Sequence, residues 1–177
     1  MKLSALMAAA AVVLLSATGV QAADTLAKIA ESGKITLAYR ESSVPFSYLD
    51  GPNKPIGFSV ELSNAVVEAV KKKLNKPNLQ VQLMPVTSQN RIPLITNGTV
   101  DLECGSTTNN SARGKDVAFA VNHFYTGTRL LVKKSSKIKD YADLAKKTVA
   151  STTGTTNALV MRKYNTCLLY TSDAADE

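Results

Sequence analysis

The chain has 177 residues, of which 45% are hydrophobic and 20% are charged. This composition excludes a disordered tail, a collagen-like chain and a polytopic membrane protein, and the length excludes a large multidomain machine. The formal net charge is +7, but the positive charges are dispersed apart from one lysine triplet, and aromatic residues are only 6% of the chain. We therefore expect no nucleic-acid partner, and anions are the favoured small ligands.

The first 22 residues have the pattern of a cleavable signal peptide. Lys2 is a positive start, residues 3–15 are apolar apart from Ser4, and Val20 and Ala22 are small enough for a signal peptidase. A helix over this apolar run would rise about 20 Å, less than the roughly 30 Å of a hydrocarbon core, which disfavours a membrane anchor. We therefore expect cleavage after Ala22 and secretion to the periplasm.

The next segment alternates between strand and helix patterns. Residues 34–39 alternate polar and apolar side chains, which predicts a strand that ends beside Arg40. Apolar side chains at helical spacing predict an amphipathic helix over 60–74, and residues 79–83 alternate again. This order predicts a βαβ unit with a parallel sheet.

A short helix and several strands are predicted after this unit. Ser88 is expected to cap a helix over residues 89–95, and Gly98 is expected to follow its end. Further strands are predicted at 100–104, 117–121, 128–132 and 148–150.

Two hydroxyl-rich loops follow predicted strands. Residues 105–111 read GSTTNNS, and residues 151–156 read STTGTT and open a predicted helix over 157–164. Backbone N–H and hydroxyl groups in such loops can hold a small anion, although a plain surface loop remains an alternative. From residue 166 no pattern continues, so we interpret 166–177 as an unrelated tail on a C-terminally truncated chain.

Several segments resemble the periplasmic solute-binding proteins of polar amino-acid ABC transporters, within them the glutamate/aspartate-binding proteins. The matching segments are RESSVPFSY at 40–48, EAVKKKLNKP at 68–77, TSQNRIPL at 87–94, ECGSTTNN at 103–110 and GTRLL at 127–131. The resemblance implies an α/β fold of two lobes, the type II periplasmic-binding-protein fold. Residues 23–126 would form a nearly complete lobe one, and residues 127–165 would begin lobe two.

The resemblance also implies a ligand and a partner. The ligand would be an acidic amino acid, L-glutamate or L-aspartate, and the partner would be the membrane permease of an ABC transporter. A monomer without cofactor or metal is expected.

The same resemblance implies a set of ligand-binding residues. Arg113 matches the arginine that holds the ligand α-carboxylate, and Arg40 matches the position that meets the ligand side chain. An arginine suits this purpose because its planar guanidinium can bind a carboxylate through two hydrogen bonds. The other matches are Ser106 and Thr108 for the head group, Ser88 and Arg91 for the side chain, and Thr152 and Thr156 near the α-carboxylate. The partner of the ligand ammonium would lie beyond residue 165.

An enzyme is not expected. The single histidine, His123, has no sequence cue that places it beside Cys104 or a serine, and no metal-ligand spacing is present. Cys104 is expected to be a buried structural thiol, and a disulfide with Cys167 is disfavoured. Two alternatives to the transport protein stay open: an enzyme similar to cyclohexadienyl dehydratase on the same fold, and a chemosensory binding protein.

Overall fold

The computed structural model describes residues 24–167. The predicted signal peptide and residues 168–177 of the predicted tail lie outside the described residues. Within 24–167, helices and strands alternate in the first half, and two 3₁₀ turns and one long helix follow. The elements are α1 Thr25–Ser32, β1 Lys34–Tyr39, β2 Ser42–Ser43, β3 Ser47–Leu49, β4 Pro55–Ile56, α2 Phe58–Leu74, β5 Gln80–Pro85, α3 Arg91–Thr96, β6 Leu102–Glu103 and α4 Thr156–Cys167, with 3₁₀ turns at Arg113–Lys115 and Tyr141–Leu144.

The main sheet has the strand order β5-β1-β6, and both pairings are parallel. In the register, Lys34 lies opposite Gln80 and Leu37 lies opposite Leu102. The predicted βαβ unit is therefore confirmed. Because the carboxyl ends of parallel strands meet at one edge, the residues that follow β1, β5 and β6 come together at that edge, where α/β sheets usually bind ligands.

The core consists of two apolar clusters on β1. Ile35 and Leu37 pack with Ile29 of α1, Val67 of α2 and Leu79, all of them buried. The second cluster joins Ala38 to Val86 and Val100, with Leu94 of α3 packed against it. The two clusters pack α1, α2 and α3 against β1. The residues that follow the strands at the carboxyl edge of the sheet are therefore attached to a packed core.

Helix α1 is an element that the sequence patterns did not predict. It has only eight residues, which is too few for a clear helical period. Its ends nevertheless have strong local signals. The Asp24 side chain accepts a hydrogen bond from the Leu26 N–H, and Gly33 ends the helix in the left-handed conformation.

The predicted cap of α3 was wrong. Asn90, not Ser88, is the N-cap residue, and α3 begins at Arg91. The Thr87 N–H donates to Asn90 Oδ1 at 2.8 Å, and the Asn90 N–H donates to Thr87 Oγ1 at 3.2 Å. These two bonds close a local turn that spans Ser88, and the Ser88 side chain is buried, at 6% exposed, instead of capping the helix.

The strands predicted at 117–121, 128–132 and 148–150 were also wrong, since these segments contain no strand. Within residues 24–167 the structure has two sheets, the main sheet and a small antiparallel sheet with the strand order β2-β3-β4, and no strand of either sheet pairs with these segments. Alternating side chains indicate which face of a strand would be buried, but a strand also needs a neighbour for its backbone N–H and C=O groups. The predicted third strand is shorter than expected, at Leu102–Glu103, where it pairs with β1.

Candidate functional site

Three arginines approach one another at the carboxyl edge of the main sheet. Arg40 directly follows β1, Arg91 opens α3, and Arg113 opens a 3₁₀ turn. The charges of Arg40 and Arg113 both act on Arg91. The pKa of Arg91 is lowered to about 10, chiefly by burial; the negative charge of Glu103 raises this pKa, and the positive charges of Arg113 and Arg40 lower it.

Arg91 is the buried member of this group. It is 2% exposed, and its Nε and Nη1 atoms are buried with no hydrogen-bond partner among residues 24–167. Buried donors are normally paired, because an unpaired one costs about 1 to 3 kcal/mol. Two unpaired donors on one cation provide a binding position for an anion.

Glu103 is a functional candidate that the sequence analysis did not select. It ends β6, and its Oε2 accepts a hydrogen bond from Thr107 Oγ1 at 2.7 Å, whereas its Oε1 is buried without a partner. Its negative charge offsets part of the positive charge of Arg91. Its place at the end of the strand that leads into the GSTTNNS loop is the signal that could have identified it.

Arg113 connects the two hydroxyl-rich loops. Its Nη1 donates to the Thr108 carbonyl oxygen at 2.9 Å, and its Nη2 donates to the Gly154 carbonyl oxygen at 3.0 Å. The hydroxyl groups of Thr108 and Thr156 lie 3.1 Å apart. Loops that are about 40 positions apart in the sequence are therefore joined by three side chains that the resemblance assigns to the ligand site.

The second loop also touches the segment that leads into α3. A Cβ atom built on Gly154 would lie 2.7 Å from the Ser88 carbonyl oxygen, so the two backbones are in direct contact. Ser88, Thr108, Arg113 and Thr156 are thus brought together, and Arg40 and Arg91 adjoin them through their charges.

Two predicted site residues, Ser106 and Thr152, are not linked to the other six by a side-chain hydrogen bond or by a charge within residues 24–167. Both are exposed on the two loops, and in residues 24–167 neither side chain has a hydrogen-bond partner. Thr152 takes part only through its backbone, because its carbonyl oxygen accepts from Thr155 Oγ1 at 2.6 Å. The ligand roles of all eight residues stay predictions.

A histidine does lie beside a serine, a contact that the sequence did not predict. His123 Nε2 is 3.4 Å from Ser59 Oγ, and the His123 ring lies against Phe58, with the ring centres 5.7 Å apart. Ser59 is 0% exposed and its hydroxyl also donates to the Gly105 carbonyl oxygen at 3.4 Å. The hydroxyl of Ser59 therefore connects α2 to Gly105 of the 105–111 loop and to the segment around residue 123.

The nearby thiol has the properties of a structural cysteine. Cys104 is free and half-buried. Burial raises the pKa of the Cys104 thiol, and hydrogen bonds with Ser63 and Ser59 counteract only part of this effect. A raised thiol pKa reduces the thiolate fraction and therefore the nucleophilicity.

Neither a membrane-spanning helix nor a metal-binding cluster occurs within residues 24–167. No helix in this range is long and apolar enough to cross a membrane. The same range contains no group of three or more His, Cys, Asp or Glu side chains that could hold a metal ion.

The chain is similar to one known protein family and to two curated binding proteins. Residues 35–175 match the model of the bacterial extracellular solute-binding proteins, family 3. The glutamate/aspartate import solute-binding protein of Escherichia coli is 59% identical over 144 residues, which are 81% of this chain and 48% of that protein. The L-glutamate/L-aspartate-binding protein of Pseudomonas aeruginosa is 57% identical over 142 residues, 80% of this chain and 47% of that protein. The chain thus spans about half the length of these relatives.

A solved structure gives the same result for the fold. An ancestral amino acid-binding protein, a precursor of cyclohexadienyl dehydratase, superposes with a TM-score of 0.68 at 28% sequence identity, over 79% of this chain and 60% of that chain. The expected α/β fold of the two-lobed type II kind is confirmed. Because the family match covers most of its length, this chain belongs to family 3 of the bacterial extracellular solute-binding proteins.

Proposed function

We propose that the full-length protein carrying this sequence is the substrate-binding component of an ABC transporter for L-glutamate and L-aspartate. It would capture the amino acid in the periplasm as a monomer and deliver it to a membrane permease. The observation that carries the proposal is Arg91, a buried cation with two unpaired donor atoms beside Arg40 and Arg113. The two relatives that are 57% and 59% identical, both named for these ligands, support it.

The arginine cluster favours an acidic ligand over an amide. A second carboxylate on the ligand can pair with a desolvated guanidinium, and such charge-assisted hydrogen bonds contribute about 1.5 to 3 kcal/mol each. A neutral amide would leave the guanidinium buried without an anion. We therefore assign the ligand side-chain carboxylate to Arg40 and Arg91.

Arg113 has enough donors for both of its contacts and a ligand. A guanidinium carries five N–H groups, and the Thr108 and Gly154 carbonyl oxygens use two of them. The remaining donors are available for the α-carboxylate that every amino acid carries. Thr108 and Thr156 would add hydroxyl groups beside it, while Ser88, Ser106 and Thr152 would line the same space.

We infer a binding protein rather than an enzyme. The only histidine contacts a serine that is fully buried, and the Cys104 thiol has a raised pKa, so neither supplies an accessible nucleophile. Incubation with prephenate is expected to give no product, which would separate this protein from a cyclohexadienyl dehydratase. The chemosensory alternative would use the same pocket and differ in its partner only.

Calorimetry on the full-length protein tests the ligand preference. L-glutamate, L-aspartate and L-glutamine are titrated under identical conditions. We expect both acids to bind at least about 100-fold more tightly than glutamine, because the lost ion pair corresponds to roughly 3 kcal/mol. Equal affinity for glutamine would contradict the proposal.

A further inference from the structure

Gly154 sits where the 151–156 loop meets the backbone of Ser88 and Gln89. A Cβ atom at this position would lie 2.7 Å from the Ser88 carbonyl oxygen, 2.8 Å from its carbonyl carbon and 2.8 Å from the Gln89 Cα. Real Cβ atoms essentially never approach other atoms this closely. All three neighbours are backbone atoms, so no rotamer change can relieve the contact.

The contact at Gly154 sets the distance between the parts of the proposed site. The Gly154 carbonyl oxygen accepts from Arg113 Nη2 at 3.0 Å, and the Thr108–Thr156 hydroxyl contact of 3.1 Å follows two residues later. On the other side, Ser88 is buried and lies three residues before Arg91. A loop held away by a side chain would lengthen the bonds to Arg113 and Thr108 together.

We propose that Gly154 is a positioning residue for ligand binding, because its lack of a side chain allows the backbone of the 151–156 loop to contact the Ser88–Gln89 backbone directly. The inference rests on the proposed function and adds a residue that the ligand need not touch. A side chain at 154 would push the loop away from the Ser88–Gln89 backbone. A ligand bound between Arg113 and the loop would then lose contacts with the protein and be more exposed to solvent. Such a loss acts mainly on the dissociation rate.

A matched control separates the contact from backbone strain. Gly154 has a φ of +74°, and Gly98 has a φ of +75° with no atom within 4 Å of its Cβ position. Alanine at either position is forced into the left-handed region, which costs on the order of 1 to 2 kcal/mol, but only Gly154→Ala creates a steric clash. A third variant, Gly154→Asn, keeps the Cβ atom and relieves the strain, because asparagine tolerates this conformation better than alanine.

Glutamate affinity, measured by calorimetry on the full-length protein, is the first readout. We expect Gly154→Ala and Gly154→Asn each to bind glutamate at least about tenfold more weakly than the unsubstituted protein, and Gly98→Ala to bind within twofold of it. Affinity within twofold in Gly154→Ala would overturn the proposal. Restored affinity in Gly154→Asn would also overturn it, since the defect would then come from φ rather than from the contact.

Amide hydrogen exchange without ligand is the second readout, and it does not depend on the proposed function. The amides of Ala158 and Leu159 donate to Thr155 of this loop, at 3.2 Å to its Oγ1 and 3.4 Å to its carbonyl oxygen. We expect these two amides to exchange at least about tenfold faster in Gly154→Ala than in Gly98→Ala, because the displaced loop no longer holds Thr155 in place. Equal exchange rates would overturn the inference even if glutamate binds. Failure of the unsubstituted protein to bind either acid would instead contradict the proposed function, while the exchange comparison still decides the role of Gly154.

Discussion

Arg91 is a residue whose burial reduces stability. Its pKa is lowered to about 10, chiefly because the charged guanidinium loses water on burial. At 1.36 kcal/mol for each pKa unit, this shift corresponds to about 3 kcal/mol against the folded state at neutral pH. The unfolded chain holds this proton more tightly, so the cost is fully present below about pH 10 and is relieved as the pH rises above that value. A buried cation of this kind is expected where an anion must bind.

Arg91→Met should therefore separate stability from binding. Methionine fills a similar volume without a charge, but alone it would leave the Glu103 carboxylate without its positive neighbour. We therefore combine it with Glu103→Gln and expect the free energy of unfolding of the ligand-free double variant to rise by roughly 1 to 3 kcal/mol. Glutamate binding should be lost, because the buried partner of its side-chain carboxylate is missing. Urea denaturation and calorimetry measure the two effects. The matched control is Arg129→Met, at an exposed arginine, which should change neither by more than about 0.5 kcal/mol. A less stable Arg91→Met, Glu103→Gln double variant would show that Arg91 contributes to folding.

Substitution of Arg113 and substitution of Arg40 should affect ligand binding differently. Arg113→Ala removes the proposed partner of the α-carboxylate and the two bonds to Thr108 and Gly154, so we expect binding of every amino acid to be lost. Arg40→Ala should weaken acidic ligands selectively and reduce the preference for glutamate over glutamine to less than about tenfold. Calorimetry with both ligands distinguishes the variants. An unchanged preference in Arg40→Ala would remove Arg40 from the side-chain pocket.

At the scale of elements, helix α2 depends on a glycine at its N-terminus. The Phe58 N–H donates to the Pro45 carbonyl oxygen at 3.1 Å, and the Ser59 N–H donates to the Phe46 carbonyl oxygen at 2.8 Å. These bonds satisfy donors that have no partner inside a helix. Gly57 allows the approach, because a Cβ atom there would lie 2.6 Å from the Phe46 carbonyl oxygen.

Gly57→Ala should therefore be strongly destabilising. It combines a φ of +118° with a clash against backbone, whereas Gly51 has a φ of +96° and no atom within 4 Å. We expect Gly57→Ala to lower the free energy of unfolding by at least about 3 kcal/mol, and Gly51→Ala by roughly 1 to 2 kcal/mol. Urea denaturation compares them. Equal losses would mean that the 45–46 segment moves to accommodate the methyl group.

At the scale of the whole molecule, the stretch from 117 to 132 exposes apolar side chains. Val121 is 90% exposed, Tyr125 is 80% exposed and Leu131 is 101% exposed. Each square ångström of apolar surface left in water forgoes about 25 cal/mol, and whole domains are stable by only about 5 to 15 kcal/mol. Exposed apolar surface of this kind also promotes aggregation.

We expect the 177-residue chain, expressed alone, to aggregate or be degraded. It should show no rise in melting temperature with millimolar glutamate, although ligand binding to a competent site must raise it. Thermal denaturation with and without glutamate measures this. A cooperative transition that moves upward with the ligand would demonstrate a working site within these residues.

The sequence alone predicted the elements whose signals are local. Alternation along Lys34–Tyr39 and the helical period before Leu74 are properties of neighbouring residues, so β1, α2 and their parallel βαβ order could be predicted. The resemblance likewise selected Arg40, Arg91 and Arg113 from their motifs. These predictions need no knowledge of what lies across the molecule.

The tertiary structure decided what depends on distant partners. The strands predicted at 117–121 and 128–132 are absent because alternation does not supply a neighbouring strand. Three features join residues from different elements: the burial of Arg91, the charge of Glu103 beside it, and the backbone contact of Gly154 with Ser88. Desolvation, Coulomb attraction and steric contact act through space, and a linear pattern records only what is adjacent along the chain.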